Sequence, residues 1–130
     1  MGIPQWKRAG LIVEELKRLD EDGKPIEDYR SEIQNTVIGQ YQWCHSCLLL
    51  AVYGLYKNGY IGNTPRTKSP SIDFAGFSGR DSLDIHHAFD ALNLLKEDPD
   101  LSGRKLKQRL GGEQSIYSFV LYYFHEGLLR

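Results

Sequence analysis

Residues 9–19 read AGLIVEELKRL, with Ala9, Ile12, Val13, Leu16 and Leu19 at three- and four-residue steps and Glu14, Glu15, Lys17 and Arg18 between them. That period puts the apolar side chains on one face of a helix and the charges on the other. A helix is therefore predicted over residues 5–20. It stops at Asp20-Glu21-Asp22-Gly23-Lys24-Pro25, where glycine suits a helix end and proline cannot continue it.

The same period recurs along the chain. A second helix is read from Ile26 through Tyr29, Ile33 and Val37 to Tyr56, with Gly39 as a kink and Asn58-Gly59 as its stop. Residues 59–80 differ: glycine, proline, serine and asparagine crowd together into a long polar loop, to be anchored by Ile72, Phe74 and Phe77. A third helix starts near Asp81 or Ser82 and buries Ile85, Ala88, Phe89, Leu92 and Leu95. A short fourth follows Ser102, with Leu106 and Leu110 inward, and closes at Gly111-Gly112. The last spans about 113–127, with Ile116, Phe119, Val120, Tyr123 and Phe124 on one face. The fold class is thus all-α: one bundle of four to five helices forming a single domain over residues 1–130.

A chain of 130 residues with 41% hydrophobic and 25% charged residues fits one globular domain and argues against disorder. Its net charge of -1 excludes a histone-like basic protein and an acidic nucleic-acid mimic. No run approaches the roughly 18 apolar residues of a membrane span. Met1–Arg8 carries no apolar leader, and two closely spaced cysteines cannot staple a secreted fold, so a cytoplasmic protein is expected.

Trp43-Cys44-His45-Ser46-Cys47 is the one motif with intrinsic chemistry. Two cysteines at that spacing in a helix's first turn can close a small reducible disulfide, and the helix dipole activates the leading thiol. The plainer reading is burial, because the pair sits beside Leu48 and Leu49 in an apolar helix. Residues 32–59 resemble the carboxymuconolactone decarboxylase and alkylhydroperoxidase-D-like family. Its pattern is a glutamate, a Cys-x-x-Cys pair twelve residues on, a histidine four after the second cysteine, and a closing glycine. Glu32, Cys44, Cys47 and Gly59 stand at those places, and Ala51 stands at the histidine's. The resemblance implies a thiol–disulfide enzyme in which Cys44 attacks, Cys47 is its buried partner and Glu32 is a base. His45 would replace the missing proton relay.

His86 and His87 are adjacent, so on a helix they point about 100° apart and rarely reach one ion. No metal site and no cofactor are expected. Charge is segregated despite the neutral total: residues 81–100 hold six acids and one base, whereas 102–110 hold four bases and no acid. Arg104, Lys105, Lys107 and Arg109 of the short helix, with Arg66, Lys68 and Arg80 of the loop, are candidates for a patch on nucleic-acid backbone. Eight tyrosines and a last helix that is apolar on several sides suggest a central position, a protein partner or self-association. The expected function is non-catalytic: a helical interaction protein, as a small subunit of a larger assembly, for which a nucleoprotein complex is one setting, or as a homo-oligomer. A redox enzyme using Cys44 and Cys47 is the alternative.

Overall fold

The amphipathic stripe of residues 9–19 forms helix α1 (Gln5–Glu21), burying Ala9, Ile12, Val13, Leu16 and Leu19 as its spacing requires. The computed structural model describes residues 5–26, 46–68 and 79–130. Four further helices follow: α2 (Ser46–Lys57), α3 (Gly79–Glu97), α4 (Gly103–Leu110) and α5 (Gln114–His125). The described residues hold no strand, only an antiparallel bridge between Ile61 and Leu129. The chain is an all-α bundle. Ile26, the expected start of the second helix, is fully buried, whereas the rest of that helix's expected first half, residues 27–45, and the anchoring of the loop by Ile72, Phe74 and Phe77 lie outside the described residues.

α5 is the centre of the bundle and packs against all four other helices. Its Ile116, Tyr117, Phe119, Val120 and Tyr123 are buried. Much of the aromatic surface among the described residues lies inside the fold: Tyr53, Tyr56 and Tyr117 are among the largest fully buried side chains. Burial of a tyrosine requires a partner for its hydroxyl. Tyr117 donates to the carbonyl of Gly111, and Tyr56 donates to Asp20 Oδ2 at 2.6 Å. Desolvation pushes the Tyr117 phenol up to about 12, so both hydroxyls stay protonated donors at neutral pH.

The short α4 is set by its caps and two leucines. The Ser102 side chain accepts from Lys105 N at 3.2 Å, and the N–H of Gly111 (φ 75°) bonds to Lys107 O at 2.8 Å. Leu106 is fully buried and Leu110 half-buried. A side chain at Gly103 would stand 3.2 Å from Leu121 Cδ1, so the start of α4 lies directly on α5.

The segment after α2 is less free than its polar composition implies. At Gly59 the chain turns at φ 79°, and a Cβ there would lie 2.0 Å from the carbonyl oxygen of Thr67. Ile61 is buried, and residues 128–130 return to pair with it through Gly62 N to Leu128 O and Arg130 N to Tyr60 O, both 2.7 Å. Arg130 Nη1 donates to the carbonyls of Arg66 (2.8 Å) and Gly59 (3.3 Å). Arg66 in turn grips Asp20 with two bonds, Nη2 to Oδ1 at 2.8 Å and Nε to Oδ2 at 3.1 Å. One carboxylate thereby ties the end of α1 to the end of α2 and to the segment that holds the last residues.

Burial alone would raise the Asp20 carboxyl, but the bonds from Arg66 and Tyr56 and the Arg66 charge outweigh it and hold the group below its ordinary 3.8. A depressed carboxyl stabilises the fold above its unfolded pKa and loses that contribution as pH falls through the folded value. Asp20→Asn should cost ~1–3 kcal/mol at pH 7, the range for a buried hydrogen-bonding group left mismatched. The gap from wild type should shrink as pH drops below 3.8. Urea melts of both proteins across that range check this; a gap independent of pH would contradict it.

Candidate nucleic-acid interface

The chemistry-bearing residues of the sequence fall into three places. The first is the start of α2. Glu32, Cys44 and His45 lie outside the described residues. Cys47 lies in the first turn of α2, half-buried against the core, and Ala51 is fully buried one turn on. Burial pushes the Cys47 thiol above its ordinary value. The Asp84 carboxylate, by its charge and a hydrogen bond, and then Glu113 push it further. These acids outweigh the backbone bond at the helix start that pulls the other way. A thiol raised in this way carries less thiolate at neutral pH than a free cysteine.

The second place is the histidine pair on α3. His86 is exposed and His87 half-buried, with its Nδ1 enclosed and lacking a hydrogen-bond partner among the described residues. Among the described residues no three of His, Cys, Asp or Glu come together in a way that holds a metal ion.

The third place is the set of bases. Here α4 stands apart. Leu106 and Leu110 turn inward, which leaves Arg104, Lys105, Lys107 and Arg109 exposed on the remaining circumference. None of the four pairs with a carboxylate among the described residues. The acid-rich α3 packs beside α4 yet does not neutralise it. Arg66 is different: its guanidinium is committed to Asp20, so it is a structural cation. Lys68 is exposed, with Nζ 4.9 Å from the centre of the Tyr60 ring. Arg80 belongs to the first turn of α3, and its side chain lies outside the described residues. Of seven candidate bases, the structure brings four onto one short helix.

A feature invisible in the sequence pattern lies on the other side of α5. Trp6 of α1 stacks on Tyr122 of α5, ring centres 4.4 Å apart and planes within 10°. Beside this stack runs a groove of about 410 Å³ between α1, α5 and Leu128, with Lys7 and Glu14 on its rim. A second hollow of about 240 Å³ continues it past Lys17 to Asn63 and Thr64, sharing Glu14, Tyr123 and Leu128. The only sequence signal was a tryptophan adjacent to a basic pair, Lys7-Arg8, at the start of an amphipathic helix.

Comparisons with known proteins add no identity: no family model, no curated protein and no solved structure matches this chain. Among the described residues, no helix is long and apolar enough to cross a membrane.

Because burial, then Asp84 and Glu113, raise the Cys47 thiol, alkylation of Cys47 by iodoacetamide at pH 7.5 should be slower than that of a free cysteine. Asp84→Asn should speed it. Site-resolved mass spectrometry of the modified peptides reads both rates, and a Cys47 that reacts faster than free cysteine would contradict this account.

Proposed function

We propose that this chain works by association rather than catalysis, as a small subunit of a nucleoprotein assembly, and that α4 is its contact with the nucleic-acid phosphate backbone. The observation that carries this reading is the exposure of Arg104, Lys105, Lys107 and Arg109, unpaired among the described residues, on a helix fixed at both ends. Four cations gathered on two turns of rigid helix are costly to hold together in isolation and are relieved by a polyanion. Binding would release the counterions condensed on the phosphates, which is the main source of non-specific affinity. The near-neutral total charge does not weigh against this, because the acids of the chain are concentrated on other elements.

The thiol–disulfide alternative turns on the attacking thiol of Cys44, which lies outside the described residues. The homo-oligomer alternative rested in part on surplus tyrosines, of which Tyr56 and Tyr117 are core residues with intramolecular hydrogen bonds.

Fluorescence anisotropy with labelled oligonucleotides at several salt concentrations tests the reading. Four phosphate contacts predict a slope of log K against log salt of about −3 to −4. The double reversal Lys105→Glu with Lys107→Glu should flatten that slope by about 2 and weaken binding at least tenfold at about 50 mM salt. Circular dichroism should show the helices intact, because neither residue is buried. Unchanged affinity in the double variant, or no binding by the wild type at low salt, would overturn the reading.

A further inference from the structure

Tyr123 differs from the other buried tyrosines. It is only 7% exposed, yet its hydroxyl has no hydrogen-bond partner among the described residues. Tyr56 and Tyr117 each have one. The Tyr123 side chain lines both hollows of the α1–α5 groove, and its Oη lies 3.7 Å from the place a Cβ on Gly10 would occupy. The absence of a side chain at Gly10 therefore keeps the floor beside this hydroxyl open. Burial and the nearby Glu14 carboxylate push the phenol up to about 12, so it is a proton donor at any physiological pH. The hydroxyl opens onto the groove that Tyr123 lines, where it can donate to an acceptor that enters.

The rest of the groove shows what that occupant would be. One wall is aromatic, the flat Trp6–Tyr122 stack, with Trp6 37% exposed. The rim holds one acceptor, the Glu14 carboxylate, its side chain 72% exposed. Two lysines flank it at opposite ends: Lys7, which has no ion pair among the described residues, and Lys17, only 3.8 Å from Glu14. An aromatic wall, a donor and an acceptor between two cations match a planar heterocycle with polar edges and a phosphate on either side. The volume of about 410 Å³ is enough to seat one nucleotide unit.

We propose that the α1–α5 groove binds one unpaired nucleobase of a single-stranded nucleic acid, the ring against the Trp6–Tyr122 wall, its polar edge on Tyr123 Oη and Glu14, and the flanking phosphates on Lys7 and Lys17. This rests on the nucleic-acid reading of α4 and deepens it: α4 supplies attraction to any backbone, and the groove supplies the preference for a single strand. The start of α4 lies against Leu121 of α5, next in sequence to the Tyr122 that carries the stack, so both features flank the same helix.

The test compares three probes on the full chain: a single-stranded oligonucleotide, a duplex of the same length, and a nucleoside monophosphate. The wild type should bind the single strand best and the monophosphate at least tenfold more weakly than the strand. Trp6→Ala should weaken single-strand binding about tenfold, the size of one lost base stack, and leave duplex binding unchanged. Tyr123→Phe, which keeps the packing and removes only the hydroxyl, should weaken it about threefold to fivefold. If both variants bind the single strand as the wild type does, or lose duplex affinity equally, the groove is not a base site. If the monophosphate binds as tightly as the strand, the ligand is a free nucleotide and the single-strand proposal falls. Failure of the α4 reading looks different: charge reversal at Lys105 and Lys107 then leaves every probe unaffected while the Trp6 and Tyr123 effects persist.

Discussion

A twelve-residue helix bearing Ile116, Tyr117, Phe119, Val120 and Tyr123 cannot remain at a surface, and the arrangement of this protein follows from surrounding it. α1, α2, α3 and α4 each take part of the circumference of α5. Two of these contacts create surfaces rather than only burying them. α4 is too short to cover its share with more than Leu106 and Leu110, so its other side chains stay in solvent and are basic. α1 meets α5 at Trp6 and Tyr122 and leaves a trough at Gly10, where no side chain fills the gap. Both features proposed to meet nucleic acid are by-products of enclosing one apolar helix.

The Asp20 carboxylate secures that trough from its far end. By holding Arg66 it fixes the segment on which Arg130 and Leu129 dock, and Leu128 is thereby held as part of the groove wall. The pairing is partly sheltered from water, Asp20 being 15% exposed and Arg66 34%. It belongs to the fold and draws Arg66 away from any polyanion. Positive charge among the described residues thus has two uses: Arg66 and Arg18 pair with carboxylates within the structure, and the four bases on α4 do not.

The architecture was largely readable in the residues. The stripe of α1, the Ser102 and Gly111 caps of α4 and the central burial of the last helix all follow from local pattern. Such patterns depend on neighbours three or four positions away. What could not be read depended on contacts distant in the chain. Tyr56 meets Asp20 at a separation of 36 residues and Arg66 meets it at 46, so sequence placed Arg66 among the candidate phosphate-binding bases and left the tyrosines between a central position and an interface. The start of the third helix lies at Gly79, earlier than the polar caps at Asp81 and Ser82 suggested. The groove was hidden for the same reason. Trp6 and Tyr122 stack only because α1 and α5 pack together, and no spacing rule joins positions so far apart.

The central claim is that α4 and the α1–α5 groove both contact nucleic acid. Hydrogen–deuterium exchange of the full chain, with and without a saturating short single-stranded oligonucleotide, addresses it most directly. The account predicts slower exchange confined to two peptides, residues 6–17 and 103–110, with the middle of α3 unchanged. Protection elsewhere on the chain with neither peptide affected would contradict it.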